Sequence, residues 1–355
     1  MKTNELPLPP HYKPGKTGEV WRVEYQKLSG LAAEWASAHS LRSASEDTYK
    51  IVLIIVDAQN TFCIPGFELY VGGRSGTGAV DDNVRLAQFI YKNLHRITEI
   101  VPTLDTHQAM QVFHPVFFVD ERGRHPEPYT FISVQDIEEG RWKFNRRLSR
   151  NLDYDDKFIE QHLLHYVREL KESGKYELTV WPYHAMLGGI GHALVSSIEE
   201  ALFFHTIARD SQPDIHVKGD HPLTEHYSVL GPEVSAGPEG KPLSLRKESL
   251  FQKPAASEAV FGKLEYFDAV IIAGQAKSHC VAWTVSDLLK KLKTQDRSLM
   301  ERIYLLEDCT SPVVVPGGID YTGEAERAFD DFSKAGMNIV RSTDPVESWP
   351  GIKFR

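Results

Sequence analysis

The chain has little cysteine: Cys63, Cys280 and Cys309 are its only three among 355 residues. Three thiols make no disulfide framework, so burial has to hold the fold together. Positive charge is also in deficit, with 40 Lys and Arg against 49 Asp and Glu, a net charge of −9, and no basic cluster. That balance argues against nucleic acid or an anionic membrane as the main partner. No apolar run reaches the length of a membrane span. The start, Met1 to Pro10, lacks the apolar centre of a signal peptide, and a reducing cytoplasm is the expected compartment. There is no internal repeat and no low-complexity tract.

What is present is apolar content of 41%, enough for a sizeable core. Strand patterns fall near 51–56, 99–104, 177–181, 214–218, 268–273, 302–306 and 338–341. Helical patterns fall near 82–95, 155–172, 191–208, 279–293 and 323–335. This alternation predicts an α/β protein with a doubly wound, mostly parallel sheet and helices on both faces. The expected organisation is an N-terminal extension over 1–49, helical around Ser29 to His39, one domain over 50–345, and a tail over 346–355. Long insertions are expected at about 113–176 and 219–257, as lids or as part of a homo-oligomer interface. Gly72 to Gly78 lacks the Gly-Lys-Ser/Thr ending of a phosphate loop and is expected to be a flexible connection.

Charged and nucleophilic residues recur at the ends of the apolar strands. Ile51 to Val56 is continuously apolar, as a central strand buried on both faces would be, and it runs into Asp57. Ligand crevices of open α/β sheets lie at such carboxyl ends. The short strand at 214–218 delivers Lys218 just before Gly219. The strand before Gly274 runs into Cys280, where an amphipathic helix is expected to begin; a helix N-terminus favours thiolate over thiol. A carboxylate, a cation and a thiol are the set that nucleophilic cysteine chemistry needs. Asp105 and His107 share one side of an extended segment, and a further strand pattern ends at His184. Two imidazoles and a carboxylate suit a divalent metal, whether zinc, iron or manganese. His114, His125, His221 and His226 are read as ordinary loop histidines.

The ordered set Asp57-x-Gln59-x-x-Phe62, Asp105-x-His107, Trp181-Pro182-x-His184, Lys218-Gly219 and Gly274-x-Ala276-x-x-x-Cys280-Val281 resembles the isochorismatase-like cysteine hydrolase superfamily. The Asp-x-His and Trp-Pro-x-His residues point to its nicotinamidase branch, of which this chain would be a long-insertion member. The resemblance implies Asp57 as general base, Lys218 as its electrostatic partner and Cys280 as nucleophile. It implies a divalent metal, zinc before manganese or iron, on Asp105, His107 and His184. It also implies a cis peptide at Gln275–Ala276, with the N–H groups of Ala276 and Cys280 forming an oxyanion site. The pocket is expected to be walled by Phe62, Phe113 and Trp181, with Gln59 nearby. The implied activity is hydrolysis of a small amide, nicotinamide first, through a Cys280 thioester, as in NAD salvage. Alternatives are another small amide, a ureido or isochorismate-like substrate, or a non-catalytic binding or scaffold protein on the same fold. Ala185 and Gly188-Gly189 depart from the family's usual run, as does Lys277-Ser278-His279 before the nucleophile, and these changes fall on pocket walls.

Overall fold

The computed structural model describes residues 5–243, 265–294, 296–315 and 317–354. Of the insertion expected at 219–257, residues 244–257 lie outside the described residues, as do residues 1–4 of the extension and residue 355 of the tail.

Six strands form the main sheet: β1 (Ile51–Val56), β2 (Ile97–Asp105), β7 (His216–Lys218), β8 (Ala269–Gly274), β9 (Ile303–Leu306) and β10 (Asn338–Val340). Their order is β10-β9-β8-β1-β2-β7 and all five pairings are parallel. Every residue of β1 is buried, and successive side chains enter different cores. Ile51, Leu53 and Ile55 join the cluster beneath helices α1 (Tyr25–Ala38), α3 (Gly78–Lys92) and α6 (Ser196–Arg209). Val52, Ile54 and Val56 join the opposite cluster, beneath α7 (Ala282–Thr294) and α8 (Thr322–Lys334). The sheet is therefore covered on both faces, as its apolar strands require.

The chain builds β1, β2 and β7 to one side of the sheet and β8, β9 and β10 to the other. The direction of winding reverses between β1 and β8, and a crevice opens there above the strand ends. Asp57 follows β1 and Cys280 follows β8, so both border that crevice.

Some expectations change. The strand expected at 177–181 shrinks to β6 (Leu178–Thr179), which pairs antiparallel with β4 (Phe131–Ile132) and stays out of the main sheet. After the Val180 N–H donates to Thr130 O at 2.8 Å, Trp181 leads into Pro182, which has no N–H to donate and cannot extend a ladder. The helix expected from 279 starts at Ala282, because Lys277–Val281 forms a π-helical turn. The stretch Gly72 to Gly78 is pinned rather than loose. Arg74 Nε donates to Asp320 Oδ2 at 2.7 Å, and a Cβ on Gly78 would fall 2.6 Å from Ser311 Oγ.

The insertion after β2 has a core of its own. Strands β3 (Phe118–Val119) and β5 (Lys143–Phe144) pair antiparallel, and helix α5 (Asp156–Glu172) packs beside them. Phe113, Phe117, Phe118, Phe144, Leu163 and Tyr166 gather in one buried cluster, which also takes in Trp181 and Leu223. The N-terminal segment is held by charge as well as by packing. Arg209 is 1% exposed, its Nη2 lies 2.6 and 2.7 Å from the two Asp47 oxygens, and its Nη1 donates to Leu94 O at 2.8 Å. A buried guanidinium stripped of its carboxylate is costly. We expect Asp47→Ala to destabilise the protein by about 3–5 kcal/mol, read from the midpoint of urea unfolding at unchanged slope.

Candidate active site

Local backbone geometry delivers each charged group to the crevice. Asp57 takes a left-handed conformation, φ 44°, which a non-glycine residue adopts at a cost. Its N–H donates to Thr103 Oγ1 at 3.1 Å, and the Thr103 hydroxyl donates back to Asp57 Oδ1 at 2.6 Å. The other carboxylate oxygen, Oδ2, lies 2.9 Å from Lys218 Nζ. On the far side of β1, Gly274 has φ 112°, and a Cβ there would sit 2.0 Å from Val56 O. Only glycine permits that approach, after which the chain passes through a cis Gln275–Ala276 peptide into the Cys280 turn. Gln275 is fixed by Asp82 Oδ2, which accepts from its Nε2 at 2.8 Å, and by the Ser311 N–H, which donates to its Oε1 at 3.2 Å. The Ala276 N–H has no hydrogen-bond partner among the described residues.

Lys218 ties these groups together. Besides Asp57, its ammonium contacts Asp105 Oδ1 at 3.0 Å and Cys280 Sγ at 3.5 Å, and it donates to His226 O at 2.8 Å. Burial alone would lower its pKa, but Asp105 and Asp57 hold it well above the ordinary lysine range. Burial pushes the Cys280 thiol well up; Lys218 opposes that, while Asp57 and Asp105 add to it. Burial likewise raises the Asp57 carboxyl, against the pull of Lys218. These shifts favour the thiol at rest, as a scheme in which Asp57 takes the Cys280 proton requires, and Cys280 lies in the π turn that precedes α7.

Asp105, His107 and His184 converge, each offering a buried ligand atom within 4.8 Å of the others. His107 Nδ1 lies 3.1 Å from Gly219 O and His184 Nδ1 lies 2.8 Å from Pro182 O. A carbonyl only accepts, so each Nδ1 carries a proton, and His184 Nε2 then keeps a lone pair. His107 Nε2 lies 2.9 Å from Asp105 Oδ2, a carboxylate contact that an ion between them would replace. Two imidazoles with a carboxylate fit a divalent metal of the zinc, iron or manganese type. Gly219, at φ 88°, must be small, because a Cβ would lie 2.7 Å from Asp105 Oδ1.

A mainly apolar cavity opens onto both groups, and Cys280, Ala276, Asp105 and His184 lie in its wall. Of the expected pocket residues, Phe62 and Trp181 line it. Gln59 and Phe113 do not. The Gln59 amide is consumed by the backbone, donating to Asp105 O and His192 O at 2.8 Å each and accepting from Asp105 N–H at 2.8 Å. Phe113 is fully buried behind His107, with ring centroids 4.7 Å apart, and so supports the ligand cluster from outside the cavity. His114 packs against the same cluster, 5.9 Å from His107 and from His184, with Nε2 unpartnered among the described residues. His226, read as an ordinary loop histidine, lends its carbonyl to Lys218.

The sequence reading missed Glu225, Tyr227, Leu69, Val71 and Val313, all of which line the cavity, whereas His279, expected on a pocket wall, does line it. Glu225 is 4% exposed, with Oε1 accepting the His226 N–H at 2.9 Å and Oε2 unpartnered among the described residues. Burial raises its pKa to about 7, with His107 pulling the other way. One signal was available: an acid seven residues after Lys218, flanked by Leu223 and Val229.

Two outcomes follow from this geometry. Protein purified with a divalent ion is expected to hold one per chain, and Asp105→Ala or His184→Ala to lose it, as read by elemental analysis. The second concerns Glu225. Its folded pKa lies above the ordinary 4.5, so the folded protein holds that proton more tightly than the unfolded chain. The resulting stability is complete below pH 4.5 and lost as pH rises through about 7. In chelator-treated protein, Glu225→Gln should remove on the order of 2 kcal/mol of the stability difference between pH 5 and pH 8, measured by urea unfolding.

No protein-family model and no curated protein sequence matches the chain. Solved structures do. The yeast nicotinamidase Pnc1p bound to the inhibitor nicotinaldehyde superposes with a TM-score of 0.50 at 17% identity, covering 82% of this chain and 99% of that one. An Acinetobacter baumanii nicotinamidase and pyrazinamidase gives 0.48 at 18% identity, covering 84% and 99%. A Pyrococcus horikoshii pyrazinamidase in complex with zinc gives 0.40 at 19%, covering 82% and 98%. The Pnc1p superposition agrees with the resemblance read from the motifs: this chain shares the α/β fold of that nicotinamidase.

Proposed function

We propose that the protein is a metal-dependent cysteine amidohydrolase whose substrate is nicotinamide or a close relative. The observation that carries the reading is the Lys218 ammonium, which touches Asp57, Asp105 and Cys280 at once and so joins a base, a ligand cluster and a nucleophile around one cavity. An ion on Asp105, His107 and His184 would supply Lewis acidity at the cavity wall. The other steps belong to the chain's own residues.

A planar amide enters between Phe62, Trp181 and Tyr227 and brings its carbonyl carbon to Cys280 Sγ. Asp57 takes the thiol proton as the sulfur attacks, while Lys218 holds the negative charge that passes between them. The carbonyl oxygen becomes an oxyanion, and the Ala276 and Cys280 N–H groups stabilise it. Asp57 returns the proton to the departing nitrogen, ammonia leaves, and an acyl thioester remains. Asp57 then takes a proton from water, whose oxygen attacks the thioester carbon. The carboxylic acid is released and the sulfur recovers its proton. Raised proton affinity at both Asp57 and Cys280 fits this exchange, because the proton crosses between two groups of which neither is strongly acidic.

Ammonia release from nicotinamide by the metal-loaded protein tests the proposal. Cys280→Ala is expected to lower turnover by at least about 10³-fold, and Asp57→Asn by a similar factor. Retained turnover in Cys280→Ala would sink the thioester scheme. A silent wild type with rapid alkylation of Cys280 would shift the substrate to another small amide.

A further inference from the structure

Asp82 has no part in the hydrolysis scheme, although it is a carboxylate buried on α3 at 3% exposure. Burial raises its pKa, and hydrogen bonds from Ser311, Gln275 and Arg85 pull against that rise. Gln275 Nε2 donates to Asp82 Oδ2 at 2.8 Å, and Arg85 Nη2 donates to Asp82 Oδ1 at 2.9 Å. An acid is costly to bury without such partners, and the one nearest the cavity is the residue before Ala276.

Gln275 is 1% exposed and held at several atoms. Its N–H donates to Val56 O at 2.8 Å, its Nε2 is held by Asp82, and its Oε1 accepts the Ser311 N–H at 3.2 Å. On the other side of Ala276, the Lys277 N–H donates to Ser311 O at 2.8 Å. The Ala276 carbonyl accepts from the His279 and Val281 N–H groups at 3.0 and 3.2 Å. The amides before and after Ala276 are thus tied down. The Ala276 N–H itself has no partner among the described residues, and Ala276 lines the cavity beside Cys280. This N–H lies in the planar peptide that Gln275 begins, so it can turn only if Gln275 or its flanks move. A side chain clamped between α3 and Ser311 resists that movement. Oxyanion donors are effective because they are fixed before the charge develops.

We propose that Asp82 and Gln275 are positioning residues: Asp82 clamps the Gln275 side chain, and Gln275 aims the Ala276 N–H at the oxyanion. This rests on the amide-hydrolase reading and adds to it two residues that lie outside the cavity wall.

The test separates two properties of one nucleophile. Alkylation of Cys280 by iodoacetamide uses the thiol with Asp57 and Lys218 but forms no oxyanion. Addition to nicotinaldehyde does form one: sulfur bonds to the aldehyde carbon, the thiol proton passes to Asp57, and the carbonyl electron pair moves onto oxygen. In metal-loaded protein, Asp82→Ala and Gln275→Leu should each lower kcat on nicotinamide and affinity for nicotinaldehyde by about 10- to 100-fold. KM and the rate of Cys280 alkylation should stay within about 2-fold of wild type. Both changes cut the same tether, so the double variant should match the weaker single within about 3-fold. The exchange Asp82→Asn with Gln275→Glu rebuilds the contact with donor and acceptor reversed, and should regain much of the kcat that Gln275→Glu alone loses. Alkylation that slows in step with kcat would make Asp82 a structural prop of the Cys280 turn, and unchanged nicotinaldehyde affinity would show that the clamp does not reach the oxyanion. Either result overturns the proposal, and Gln275→Leu, close to the native volume, decides it should Asp82→Ala not fold. Wild-type protein that neither hydrolyses nicotinamide nor adds nicotinaldehyde would overturn the amide reading itself, and this inference with it.

Discussion

The site depends on one ammonium group. Lys218 is buried with two carboxylates, a thiol and a main-chain carbonyl, and each would be costly to bury alone. Two carboxylates packed together without the cation would force one of them to take a proton. With it, Asp57 and Asp105 can both stay close to the cavity although water is excluded. The same contact explains the sheet edge. Strand β7 pairs with β2 over only three residues, Thr103 to Asp105 against His216 to Lys218, and that register sets Lys218 directly opposite Asp105. A slip by one residue would turn the lysine to the other face and leave two acids facing each other.

Much of this was legible in the chain because central parallel strands leave an unambiguous trace. Ile51 to Val56 can only be buried on both faces, so the polar residue that ends it must lie at the rim of the sheet. Asp57, Asp105, Lys218 and Cys280 were found by that argument, and the structure brings their side chains together. The failures share a cause as well. Gln59 looked like a pocket residue from its place in the motif, yet a buried backbone needed its amide more than a ligand did. Trp181 and His184 reach the site from an irregular segment, not from the sheet strand that Leu178 to Trp181 resembled. Glu225 and Tyr227 were not picked out because period and strand position say nothing about loops folded over a crevice. Their positions are set by tertiary contacts such as Tyr166 Oη accepting from the Glu225 N–H at 3.1 Å, and those have no local signature.

The insertion after β2 belongs to the same reasoning. A minimal doubly wound sheet leaves the crevice above its strand ends open to solvent, and there an amide carbonyl and a thiol would both be hydrated. Here the phenylalanine-rich cluster anchors Trp181 and Leu223, and through them the segment carrying Glu225 and Tyr227. The aromatic wall of the cavity is therefore made largely by chain that the sheet does not require.

Closure of that kind also bears on the resting state of the sulfur. In water, a lysine beside a cysteine would favour the thiolate; here desolvation outweighs Lys218 and keeps the proton on sulfur. A thiol is a poor nucleophile, but it is also a poor target for oxidation or stray alkylation. The balance is one that a substrate can tip. An amide that enters the cavity exchanges solvent for its own carbonyl dipole, and charge moving from sulfur to that oxygen travels toward the Ala276 N–H. The proton then passes to Asp57 while Lys218 keeps its contacts with both partners, so the ion pair need not reorganise as the negative charge moves. A fixed cation between an acid and a thiol thus lets the nucleophile stay protected until a carbonyl is in place to receive its charge.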